Sequence, residues 1–171
     1  MDFNEVLLKR ESVRNYDPER QVDTDTLRRI LEAERIAPSA SNYQPWEFWL
    51  ISSPEMLEKV KPCYVRQWIK DAPHILVVTG DQDHAWERAD GYNSLQTDLA
   101  ISMHQMILAA TNEGVGSCWV TNFKPDILRG ALGLKESVKV YGITPLGYPR
   151  ETYTRRSVIM RKPLEELVIY R

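Results

Sequence analysis

Arg10, Ser12 and Arg14 stand two residues apart in the run Arg10-Glu11-Ser12-Val13-Arg14. Extended backbone turns alternate side chains to one side, so two guanidinium forks would flank one hydroxyl. That arrangement suits an anion, because guanidinium groups match phosphate and carboxylate oxygens in pairs. The same residues also read as the solvated basic end of a short helix over 4–10, where Lys9 and Arg10 complement the helix macrodipole. A second stretch, Pro38-Ser39-Ala40-Ser41-Asn42-Tyr43-Gln44-Pro45-Trp46, is rich in proline and small polar residues and cannot continue a helix. It reads either as a plain turn between helix and strand or as backbone that a ligand approaches closely.

The familiar catalytic patterns do not appear. The sequence has no Ser-His-Asp order, no activated cysteine and no paired-carboxylate motif. Its three histidines form no ligand pattern, and Asp81, Asp83 and His84 match neither a calcium loop nor a zinc helix, so no metal is expected. A GxGxxG fingerprint is missing too, which argues against a dedicated dinucleotide domain. Chemistry would then fall to a bound cofactor, with the protein supplying orientation and electrostatics. Five Trp and eight Tyr offer surfaces for a flat ligand. A net charge of −2 argues against a nucleic-acid partner. No apolar run reaches membrane-spanning length, and the first residues lack a signal peptide's basic and apolar regions. Cys63 and Cys118 match no redox or metal spacing and read as reduced thiols of a cytoplasmic protein.

The elements that must carry these residues fit one α+β domain over 1–171. A helix over 4–10 is followed by a turn at Tyr16-Asp17-Pro18. Asp23, Thr24 or Asp25 caps the next helix, whose Leu27, Ile30 and Leu31 keep a helical period. The run over 46–52 is apolar on both faces and predicts a central strand. Pro54 opens a brief helix to 61, and 75–79 reads as a second buried strand. The longest helix, over 94–112, is apolar nearly all round and therefore central, with Gly114 just past its end. A third strand is expected within 114–123, a helix from Pro125 to Leu132 with Gly133 beyond it, and a fourth strand over 138–146. The apolar close, Leu167 to Tyr170, predicts a last strand that needs an edge to pair with.

The Pro38 stretch resembles the Pro-Ser-x-x-Asn-x-Gln-Pro-Trp signature of the nitroreductase family of FMN enzymes. Arg10-x-Ser12-x-Arg14 resembles that family's opening, and Gly114 to Trp119 its Gly-Leu-Gly-x-x-Trp segment. Gly147-Tyr148-Pro149 and Arg161-Lys162-Pro163-Leu164-Glu165-Glu166 resemble its later segments, in the right order over nearly the whole chain. The resemblance implies an α+β sandwich with a mixed central β-sheet flanked by helices. It also implies an intertwined homodimer in which 150–171 is an arm reaching the partner subunit.

By the same resemblance, FMN lies at the subunit interface. Its phosphate would meet Arg10, Ser12 and Arg161 beside Glu11, and its pyrimidine edge would meet Arg14. Thr121 and Asn122, which follow Trp119, would bring backbone to the reactive edge, although many family members have glycine there. Pro38, Ser39, Ala40 and Asn42 of one subunit would lie against the ring held by the other. A further contact falls on Arg66 or Gln67, with Gln67 carried as the candidate. The implied activity takes hydride from NADH or NADPH and passes electrons to a nitroaromatic, quinone or similar small acceptor by a ping-pong mechanism. A flavin buffer or sensor without turnover is the alternative, and a flavin-free binding domain a third reading.

Overall fold

The computed structural model describes residues 1–155 and 160–171; Arg156, part of the basic tail noted in the sequence, lies outside them. Among the described residues, five α-helices, α1 (Phe3–Lys9), α2 (Thr24–Arg35), α3 (Pro54–Val60), α4 (Leu95–Asn112) and α5 (Pro125–Leu132), pack around four strands. The strands are β1 (Trp46–Ile51), β2 (His74–Asp81), β3 (Gly116–Ser117) and β4 (Val138–Gly147). Helix ends are fixed locally. Asp2 and Glu5 form a capping box on α1, and Asp23, of the three candidates, caps α2 by accepting from Thr26 N–H at 2.9 Å. Pro54 and Pro125 open α3 and α5, and Gly133 closes α5 at φ 63°.

The sheet order is β1-β2-β4-β3. Side chains alternate across β2: Leu76 and Val78 face Leu99, Met103 and Met106 of α4 and Leu27 and Ile30 of α2. Ile75 and Val77 face the opposite way, toward Leu57 and Val60 of α3 and Leu128 of α5. The sheet is thus buried between two helical layers, with α4 central in one, as its all-round apolar sequence requires. His74 ties the start of β2 to the segment before α2 and to the end of β1. Val22 N–H donates to its Nε2, which leaves the proton on Nδ1 to donate to Ser52 Oγ at 2.8 Å.

Four expectations from the sequence need correction. Every strand pairing among the described residues is antiparallel, so the sheet within this chain is not mixed. The strand at 46 is an edge strand of that sheet, not a central one. Its two apolar faces are explained by the two helical layers, Trp46, Phe48 and Leu50 packing on one side and Trp49 and Ile51 on the other. The third strand has shrunk to Gly116–Ser117, with Val120 rejoining β4 through a single bridge to Ile143. Finally, 167–171 forms no strand; only a 3-10 turn, Leu164–Glu166, is regular there, and Ile169 and Tyr170 are over 80% exposed. No edge of this chain's own sheet receives that apolar segment.

Glu34 is one of two residues, among those described, whose buried side-chain polar atoms lack a partner. It lies on the inward face of α2 one turn after Ile30, fully buried, and neither carboxyl oxygen has a hydrogen-bond partner. Burial pushes its pKa up to about 9 from the ordinary 4.5. The folded chain therefore binds a proton that the unfolded chain releases, and stability falls as pH rises through that window. We expect this residue alone to make the protein about 4 kcal/mol less stable at pH 8 than at pH 5. Urea unfolding of wild type and Glu34→Gln at both pH values isolates the effect. Equal pH dependence in the two proteins would mean that Glu34 is not held neutral.

Candidate functional site

The segment after α1 is held by backbone and by two inward side chains. Arg10 N–H closes the helix on Val6 O, and three residues later Val13 N–H donates to Ser117 O of β3 at 2.9 Å. Tyr16, fully buried, bridges to Pro149 and donates its hydroxyl to Val13 O at 2.8 Å. Gly116 suits the closeness of this crossing: a Cβ there would lie 3.0 Å from both Gly147 O and Val13 Cγ1, tighter than ordinary contact. With Val13 turned into the core, alternation along the extended segment sends Arg10, Ser12 and Arg14 to the other side. All three act on the Cys118 thiol. Burial pushes that thiol up, while the Arg14 charge, hydrogen bonds from Ser12 and Arg14, and the Arg10 charge pull it back.

At the end of α1 lies a cavity of about 300 Å³; of the three, Arg10 lines it, while Ser12 and Arg14 do not. Arg10 and Glu11 enter it from the N-terminal segment, and Arg161 from the C-terminal arm. Ser117 and Trp119 come from β3 and its continuation, His104 and Ile107 from α4. Two cations 151 residues apart in sequence thus meet in one concavity. Glu11 pairs with Arg155 at 3.5 Å, and Arg155 also donates to Leu8 O, so the base of the arm is fastened to α1. Trp119 stands between His104 and Tyr141, with ring centroids 6.3 and 6.0 Å away, and its buried Nε1–H has no partner.

The other candidates lie elsewhere. Thr121 is exposed and lines a larger cavity, about 630 Å³, with Leu95, Leu99 and Tyr141; Asn122 beside it is exposed. Gln67 opens a 3-10 turn, Gln67–Asp71, and is exposed, as is Arg66 before it; Trp68 then packs on Tyr16. Pro38, Ser39, Ala40 and Asn42 belong to a loop tied to the first turn of α4, where Ala40 N–H donates to Asp98 Oδ1 at 2.9 Å. None of them lines the cavity that holds Arg10 and Arg161. Six helical residues separate Asp98 from His104, about 9 Å along the axis.

Sequence reasoning passed over His104 and Asp98. Both were legible as polar residues inside a strongly apolar helical period, but nothing in the sequence says which neighbours such a residue meets.

The fold agrees with that of known proteins. A profile described as the Nitroreductase family matches residues 7–70 and 57–148. A crystal structure of a nitroreductase family protein from Clostridium difficile superposes with a TM-score of 0.90 at 35% identity, covering 99% of this chain and 98% of that one. A second, described as an FMN-dependent nitroreductase from the same species, gives 0.76 at 26% identity over 89% and 90% of the two chains. An Archaeoglobus fulgidus protein, named provisionally as an NADH dehydrogenase/NAD(P)H nitroreductase, is 30% identical over 151 residues, 85% of this chain and 84% of its own. The chain belongs to the nitroreductase family.

His104 gives this cavity a spectroscopic handle. Burial, and after it the Arg10 charge, hold its imidazole below the ordinary value of 6.5. An NMR titration is expected to find a midpoint under 6.5 in wild type and a higher one in Arg10→Ala. An unmoved midpoint would take Arg10 out of the neighbourhood of His104.

Proposed function

We propose that this protein is an FMN-dependent oxidoreductase. It takes hydride from NADH or NADPH and passes electrons to a small acceptor, a nitroaromatic or quinone, in two alternating half-reactions. The observation that carries this reading is the meeting of Arg10 and Arg161 in one cavity, with Ser12 on the same face of the segment. Fixed guanidinium groups beside hydroxyls are the donor set a phosphate monoester needs, so the residues present fit FMN. The family and the FMN-dependent relative support the same cofactor.

Bound FMN would supply the two-electron chemistry, accepting hydride from the nicotinamide and passing two electrons to the acceptor. The chain's part is then electrostatic and steric. Arg10 and Arg161, with Ser12 and Glu11 beside them, hold the phosphate. Arg14 lies toward the pyrimidine edge, where a cation favours the negative charge that appears on reduction. Backbone at Thr121 and Asn122 borders the reactive edge after Trp119, and Gln67 is a further contact.

The 38–42 loop lies on a different part of α4 from the cation cavity, which fits a homodimer in which each loop covers the flavin held by the other subunit. The exposed apolar arm, Leu164 to Tyr170, suits the same assembly, since it has no place on its own sheet. Two buried free thiols suit a cytoplasmic setting.

Three measurements test the reading. Purified protein should be yellow and should release FMN on denaturation, and its visible absorption should bleach anaerobically with NADH or NADPH. Bound flavin that no nicotinamide reduces would favour a buffer or sensor instead, and a colourless protein that takes up no FMN would overturn the reading. In light scattering at micromolar concentration the mass should be twice that of the chain; a flavin-loaded monomer is incompatible with a shared site.

The two arginines should also fail differently. Arg10→Ala is expected to weaken FMN binding by about tenfold to a hundredfold. Arg14→Ala should retain oxidised FMN better, yet lower its midpoint potential and slow hydride transfer at saturation. Equal FMN loss with normal reduction in both variants would remove Arg14 from the ring.

A further inference from the structure

The 38–44 loop carries an uncommon backbone. Ser41, Asn42 and Gln44 have φ of 48°, 59° and 51°, all in the left-handed region that side-chain-bearing residues adopt sparingly. Such conformations persist where the surroundings over-determine them. Part of the support comes from within. Asn42 N–H donates to Ser39 O, Tyr43 N–H to Ala40 O, and Gln44 N–H to Ser39 Oγ, each between 3.0 and 3.1 Å. At its end the loop is pinned by Asp81 N–H donating to Pro45 O at 2.9 Å, an approach that leaves no room for a Cβ at Gly80, which would sit 2.7 Å from that oxygen.

These bonds would let the loop pivot as a unit about Pro45. The bond that fixes its middle to the core runs from Ala40 N–H to Asp98 Oδ1, 2.9 Å. Asp98 is 2% exposed in the first turn of α4, and its other oxygen accepts from Ser94 Oγ at 2.7 Å, itself a buried residue. A carboxylate buried this deeply and gripped on both oxygens has one orientation, so the donor it meets across the gap is held to one place. The outer face of the loop, from Ser41 to Gln44, stays exposed.

We propose that Asp98 is a positioning residue for flavin binding: through Ala40 N–H it holds the left-handed 38–44 loop in the form that closes over the isoalloxazine ring. The inference rests on the flavin reading above and adds to it a residue that never touches the cofactor. Ser94 sets the carboxylate, the carboxylate sets the loop, and the loop sets the wall of the ring site. Because the loop meets the ring and not the phosphate, the effect is blind to the phosphate group.

The test uses the intact protein in three variants. Asp98→Ala removes both bonds. Asp98→Asn keeps them, its Oδ1 accepting from Ala40 and its amide donating to Ser94 Oγ. Ser94→Ala leaves the carboxylate but frees one oxygen. Hydrogen exchange of the 40–44 amides in flavin-free protein reports the loop itself, and titration with FMN and with riboflavin reports the site. Asp98→Ala is expected to exchange faster at 40–44 and to lose about tenfold in affinity for both flavins alike. Arg10→Ala, by contrast, should lose affinity for FMN selectively. Asp98→Asn should restore both readouts to within about threefold of wild type, and Ser94→Ala should fall between.

Wild-type exchange or wild-type flavin affinity in Asp98→Ala overturns the proposal. If Asp98→Ala does not fold, Ser94→Ala carries the test, and unchanged exchange and affinity there overturn it as well. A wild-type protein that binds neither flavin overturns the proposed function instead, whatever the loop exchange shows.

Discussion

The site depends on one docking event, the N-terminal segment lying down along β3. The hydrogen bond from Val13 N–H to Ser117 O sets which residues face inward. With Val13 committed to the core, alternation leaves Arg10, Ser12 and Arg14 the opposite side to occupy. A slip of one residue would turn the arginines inward and expose Val13, so the hydrophobic residue and the cations flanking it enforce the same alignment. The closeness of the crossing also limits the residues beneath it, which is why β3 offers glycine at 116.

Around that crossing the protein treats its buried polar groups unequally. Asp98 is nearly as buried as Glu34, but both its oxygens accept hydrogen bonds from fixed donors, whereas Glu34 has none. A satisfied buried carboxylate orders what it touches; an unsatisfied one favours the proton and costs stability above its ordinary pKa. Both lie in the layer formed by α2 and α4, so the same layer holds an ordering group beside the Pro38 loop and a titrating one just before it. Trp119 Nε1 is the other unpaired buried donor among the described residues, and it belongs to a residue lining the cation cavity.

Charge is arranged with the same economy. Arg10 and Arg161 converge although the chain as a whole is slightly acidic, and Glu11 at the same cavity is turned to Arg155. That pair fastens the arm to α1 and keeps the carboxylate from cancelling the cations outright. His104, whose imidazole burial and then the Arg10 charge hold below its ordinary value, lines the same cavity.

Much of this was legible in the sequence. Caps, prolines and glycines marked most helix ends within a residue or two, because those signals are local. The buried run at 75–79 and the all-round apolar α4 announced the core, because burial on every side leaves no polar stripe. The Arg10-x-Ser12-x-Arg14 spacing read equally as an anion cradle or a solvated basic end, and of the three only Arg10 lines the cavity with Arg161. Tertiary structure decided the rest. It put the strand at 46 on an edge, reduced the third strand to two residues and left the closing apolar segment without a strand partner in its own chain. Pairing depends on which edges are free, and edges are not written in any one segment. It also chose Arg161, His104 and Trp119 as the companions of Arg10, and Asp98 as the anchor of the Pro38 loop. Those meetings join residues 58 to 151 positions apart, and no local propensity reaches that far.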